Sequence, residues 1–142
     1  MQHRGTEVRR QRTCGVPARL AEDRGSATVQ IVVLMPALFL LMFTGMQAAL
    51  IYHARTVAIA AAQEGARTAA AQYSSAAAGD VAAGQFIASA GGEDVLHGVT
   101  ITATRDATTA SVVVTGTTMS VVPGWIPQIV QSASAPVERV TG

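Results

Sequence analysis

Arg24-Gly25-Ser26-Ala27-Thr28-Val29-Gln30 opens a stretch of thirty residues, 25–54, with no charged side chain. It continues as Ile31-Val32-Val33-Leu34-Met35-Pro36-Ala37-Leu38-Phe39-Leu40-Leu41-Met42-Phe43 and stays apolar to Ile51 before Arg55 restores charge. About 20 apolar helical residues cover a hydrocarbon core of roughly 30 Å, so this stretch is long enough to span a bilayer with some tilt. A membrane protein is expected, not a soluble enzyme, with the lipid bilayer as its first partner and a single pass as its topology.

Upstream of the run, residues 1–24 carry six arginines against Glu7, Glu22 and Asp23, a local charge of +3, whereas the chain beyond Ile51 sums to −2. The positive-inside rule then predicts a cytoplasmic N-terminus and an extracytoplasmic remainder. With Gly5, Gly15, Pro17 and mixed charge but no periodicity, the leader reads as disordered. Arginine clusters neutralise phosphates, but neither aromatics nor a helical stripe accompany this one, so nucleic acid is not an expected partner. All ten basic residues are arginine, which a GC-rich genome explains as readily as any physical need. The single cysteine, Cys14, precedes the apolar run, so the exported part has no thiol pair to form a disulfide.

Downstream, the absence of proline from residues 52–73 and their alanine content extend the helix past the membrane. With Ser26 as N-cap and Tyr73 as its last residue it would run 48 residues, about 72 Å, with a kink at Pro36. Ala58, Ala62, Ala66 and Ala70 recur at four-residue spacing, and Ala61, Gly65 and Ala69 form a second row. Such rows either admit the close approach of another helix or merely reflect the density of alanine, sixteen of the thirty-seven residues 54–90. Glu64 and Arg67, three residues apart, can pair on the solvated side. The small polar residues 74–79 should break the helix, residues 81–90 form a second, and Gly91-Gly92 end it. From Val99 the period changes to two, predicting a hairpin from residues 99–104 and 110–115. Residues 117–122 would add a third strand and residues 131–140 an edge strand limited by Pro136. The expected class is α+β: a long transmembrane and stalk helix, a short helix and a small antiparallel β-sheet.

Little in this sequence points to chemistry. His3, His53 and His97 are scattered without ligand spacing, and no glycine-rich phosphate loop or nucleophile elbow is present. Glu93-Asp94 after two glycines reads as a solvated turn. No catalytic, cofactor or metal residues are expected, nor a small-molecule substrate. Trp125, the only tryptophan, stands between Pro123 and Pro127 and suits either an interface or the cap of a small core.

The junction Arg24-Gly25-Ser26-Ala27-Thr28-Val29-Gln30, the following Leu34-Met35-Pro36 and the later Glu64-Gly65-Ala66-Arg67 together resemble the TadE-like family of pseudopilins from tight-adherence (Flp-type) pilus systems. In that family an Arg-Gly-x-Ala-x-x-Glu junction opens the apolar segment, a proline follows, and a Glu-Gly-Ala-Arg element lies beyond the membrane. The resemblance implies a pilin-like, inner-membrane precursor cut by a prepilin peptidase, here between Gly25 and Ser26, whose partners are other pilins, pseudopilins and pilus-assembly membrane proteins. Its implied divisions are a removable leader at 1–25, the span at 26–51, a helical continuation at 52–78 and a β-rich module at 79–142. One departure stands out: the family's glutamate five residues after the cut is Gln30 here. An amide hydrogen-bonds but cannot neutralise a neighbouring ammonium in lipid, so a minor, assembly-linked pseudopilin fits better than a major pilin. The alternative is an uncleaved, signal-anchored envelope protein displaying a small β-rich binding module. A secreted product of ordinary signal peptidase fits poorly, because the apolar run exceeds a usual signal core.

Overall fold

Helix formers dominate from Leu34 to Ala70, and Pro36 is the one residue there that cannot donate to the helical ladder. A computed structural model describes residues 22–138, with side chains from Thr28 onward. It divides into two units, the boundary falling after Leu38. Helix α1 spans Glu22–Ala70 and carries Pro36 without interruption. It is already helical four residues before the expected cap at Ser26. The rest of the expected leader, residues 1–21 with His3 and Cys14, lies outside the described residues.

At its other end α1 stops at Ala70, three residues short of Tyr73, which takes a left-handed φ of 62°. The terminal carbonyls explain the stop. The Arg105 guanidinium donates to the carbonyls of Ala69 and, at 2.9 Å, of Ala71, while the Glu138 amide donates to Ala70 at 3.0 Å. A cation against the negative end of the helix dipole and three satisfied carbonyls close the helix without a glycine.

The second helix, α2, covers Ala76–Ser89, five residues longer at its start than expected. Ser75 caps it, its hydroxyl accepting from the Ala78 amide at 3.2 Å, and three alanines then propagate it. The expected breaker, Gly79, lies inside α2 because that is where α2 meets α1. A Cβ on Gly79 would stand 2.7 Å from the Gly65 carbonyl oxygen, and one on Gly65 would stand 2.8 Å from that of Gly79. The rows of small residues on α1 therefore do admit a helix at close approach, and that helix is α2 of the same chain. Ala58, Ala61, Ala62, Ala66, Ala69 and Ala70 are all buried.

Three strands complete an α+β fold: β1 (His97–Arg105), β2 (Thr109–Thr117) and β3 (Gln128–Pro136), antiparallel in the order β1-β2-β3. Register pairs Ile101 with Val114, Val112 with Ala133 and Gly116 with Ile129. The alternation read in the sequence puts Val112, Val114 and Ile129 in one core with Leu96, Ile87 and the alanine face of α1. Thr100, Thr102, Thr104, Ser132 and Ser134 face outward. Residues 117–122 do not form a strand: only Thr117 belongs to β2, and 118–127 loop to β3. Their backbone donors go elsewhere, Thr118 to the Pro127 carbonyl and Val121 to the side chain of Gln47. β3 is an edge strand, as anticipated, but it begins at Gln128, three residues earlier than expected, and ends at Pro136, while residues 139–140 of the expected strand lie outside the described residues. The opposite edge is covered in part by α2, whose Asp80 carboxylate accepts from the Ala103 amide at 2.8 Å.

The hairpin between β1 and β2 is closed by Asp106. One carboxylate oxygen accepts from the amides of Thr108 and Thr109 and from the Thr108 hydroxyl, at 2.8–3.1 Å. These bonds favour the charged form and hold the carboxyl below its ordinary value of 3.8. A depressed folded pKa means that the turn's stabilisation is present above pH 3.8 and is lost as pH falls through the folded value. Hydrogen exchange of the Thr108 and Thr109 amides in the full chain should accelerate over that acid range. Asp106→Asn should remove the acid dependence while keeping the turn.

Candidate membrane and assembly face

The apolar run of the sequence forms the exposed part of α1. Val29, Ile31, Val32, Val33, Leu34, Leu38, Leu40 and Leu41 are all more than half exposed. The helix from Thr28 onward qualifies by length and composition as a membrane span, with a most apolar window of mean hydropathy 2.2 and none of that window buried. Phe39 and Phe43 stack at i, i+4 on the same stretch with centroids 6.4 Å apart, and both remain half exposed. A water-facing helix would not carry so continuous an apolar surface.

The change comes at Gln47. This side chain is 3% exposed, and each of its polar functions has a partner on the 118–127 loop. Its carbonyl oxygen accepts from the Val121 amide at 2.8 Å and the Ser120 hydroxyl at 3.2 Å, and its amide donates to the Met119 carbonyl at 3.4 Å. Beyond it, from Ala54, one face of α1 is buried in the core. Sequence reasoning passed over Gln47 as one more member of an uncharged run. The available signal was a long amide set in a largely apolar run, with only Thr44 as a polar neighbour at helical spacing.

Gly25 and Ser26 lie within α1, but their side chains fall outside those described. Gln30 is on the exposed stretch. In the Glu64-Gly65-Ala66-Arg67 element the middle pair points inward, Gly65 onto α2 and Ala66 into the core. The outer pair points outward, with Arg67 Nη1 at 3.8 Å from the Glu64 carboxylate. So exposed an ion pair contributes only a few tenths of a kcal/mol. It therefore leaves two charges displayed on a helix whose opposite face is sealed. Trp125, half exposed, shares a cleft of about 210 Å³ with Thr44, Gln47, Ala48, Ile51 and Val122.

His53 is exposed on α1, His97 opens β1, and Glu93 and Asp94 sit exposed in a short 3-10 turn after Gly91. Among the described residues no three His, Cys, Asp or Glu side chains gather as a metal site. A shallow cleft of about 290 Å³ lies between α2 and β1, lined by Gly84, Ile87, Leu96, Val99 and Ile101 with Glu93 beside them. It brings one carboxylate to an apolar wall and offers no acid–base pair.

No curated protein and no solved structure matches the chain. The helix that carries both the bare apolar stretch and the inward-facing Gly65 is where a match is found: residues 25–67 fit the family model of TadE-like proteins, so this segment is similar to that family.

Proposed function

We propose that this chain is a minor pseudopilin of a tight-adherence pilus or a related secretion system, acting as a structural and assembly component and not as an enzyme. What supports this most is the bare apolar half of α1, which lies within the TadE-like segment and adjoins a folded half made of the same helix. The span would hold the protein in the inner membrane, with the arginine-rich leader, residues 1–25, in the cytoplasm and the β-rich module outside. A prepilin peptidase would cut between Gly25 and Ser26. The freed helix could then pack by its apolar surface against other pilins or assembly proteins, with Glu64 and Arg67 as outward charges. Gln30 weakens filament incorporation, since it cannot pair with a subunit's terminal ammonium, and this favours a minor role.

The test is the mature amino terminus. Mass spectrometry of the protein produced with a prepilin peptidase should find a chain beginning at Ser26, and Gly25→Leu should leave the precursor intact. A native protein that keeps its leader in the presence of an active peptidase would point instead to an uncleaved, signal-anchored envelope protein.

A further inference from the structure

The loop 118–127 joins β2 to β3 and exposes Met119, Val122, Trp125 and Ile126, the last at 72%. A loop in water would not present four large apolar side chains together, and this one has no charge to offset them: residues 107–137 contain none. Its backbone is firmly shaped. Thr118 donates to Pro127 across the neck, Trp125 donates to Val122 at 3.3 Å, and Gly124 takes a φ of 80° after Pro123, the pairing that a type II turn requires.

The loop is also fixed at one height. Through its three hydrogen bonds Gln47 ties Met119, Ser120 and Val121 to α1 immediately after exposed Phe39, Leu40, Leu41, Met42, Phe43 and Met46. About 20 residues of helix fill the hydrocarbon core, so in an uncharged run that begins after Arg24 the far boundary falls between about Thr44 and Ile51, around Gln47. Arg55, the first charge on α1 beyond the run, lies two turns further on. The loop therefore sits where hydrocarbon gives way to headgroups. Tryptophan favours that layer because its ring is apolar and its N–H still finds polar partners.

We propose that the loop 118–127 is a second membrane contact, inserted into the interfacial layer of the extracytoplasmic leaflet with Trp125 as its anchor. Together, helix and loop fix the tilt and rotation of the β-rich module, which a single helix alone would leave free. The proposal rests on α1 spanning the bilayer. Lipid is the occupant because a lone span at this depth is surrounded by it, and because the exposed loop surface continues the exposed apolar surface of α1 without an intervening charge.

The single tryptophan makes the test direct. The full chain is reconstituted in phosphatidylcholine vesicles, and Trp125 emission is followed with lipids brominated near the headgroup or near the chain end, and with aqueous iodide. Shallow bromines should quench at least about twofold more than deep ones, and iodide should quench little, as an interfacial ring requires. Iodide access without bromolipid quenching, in protein that resists alkaline extraction, would overturn the loop contact and leave the span standing. Shielding from both quenchers that is lost on dilution with lipid would assign the loop to a second copy of the chain and equally overturn the proposal. Extraction of the protein by alkali would remove the span and the loop contact together.

Discussion

Gly65→Val in the full chain is expected to unfold the β-rich module or cost at least about 3 kcal/mol, more than any surface change in the same element. The reason is what faces the new side chain. A Cβ at this position meets the Gly79 carbonyl oxygen at 2.8 Å, the Ala83 methyl at 3.0 Å and a Val112 methyl at 3.3 Å. A backbone carbonyl has no rotamer to turn away, so relief requires the helices to separate. Separation would in turn draw Asp80 off the Ala103 amide and open the edge of β1. Gly79→Val should fail in the same way, because its Cβ would meet the Gly65 carbonyl at 2.7 Å. Gly45→Ala on the exposed half of α1 has nothing within 4 Å and should change little. Thermal melting by circular dichroism in detergent micelles measures all three. A Gly65→Val protein as stable as Gly45→Ala would show that the two helices do not cross there.

This contrast also divides the Glu-Gly-Ala-Arg element by physical role. Gly65 and Ala66 hold the fold, while Glu64 and Arg67 contribute little to it. Glu64→Ala with Arg67→Ala should therefore leave the melting temperature within a few degrees of the parent. Any loss of pilus assembly in that variant would then report a surface contact, not a damaged module.

The long helix and the hairpin were legible because their signals are periodic and strong: thirty uncharged residues, and alternation of Val, Ile and Ala with Thr over residues 99–104. The rows of small residues were visible too, but a row says only that something can come close. That the visitor is α2 depends on Gly79, and a glycine inside a run of small residues reads as a breaker whenever its partner is unknown. Residues 117–122 misled for the opposite reason. Their threonines and valines have the composition of a strand, yet a strand needs its amides for a neighbour, and Val121 gives its amide to Gln47. Arg105 stands beside Asp106 at the end of an alternating stretch, and only the return of β1 past the end of α1 makes it a helix cap. Gln47 and Arg105 thus act through partners at least thirty residues away, which no local pattern reports.

Leu96→Ala is expected to be the costliest truncation in the core, about 3–4 kcal/mol in the full chain. Most of the buried face of α1 is alanine, and each alanine removes little apolar surface from water. The volume between the helices and the sheet is therefore filled by a few larger side chains, and Leu96, Ile129, Val112 and Val114 are those fully buried. Leu96 is the best placed of them. It follows the short turn that leads from α2 into β1, and it lies against Gly116 of β2, where a Cβ would stand 3.3 Å from its terminal methyl. Truncation opens a cavity beside the existing cleft of Gly84, Ile87, Val99 and Ile101. The surrounding backbone, paired along β1 and β2, relaxes only partly into such a gap. In a module whose stability is a small difference of large terms, one such loss is a sizeable fraction of the whole. Leu96→Met, nearly equal in volume, should cost less than about 1.5 kcal/mol. Urea denaturation of the two variants in micelles, followed by circular dichroism, distinguishes a packed Leu96 from an idle one: equal midpoints for Ala and Met would mean that the side chain fills nothing.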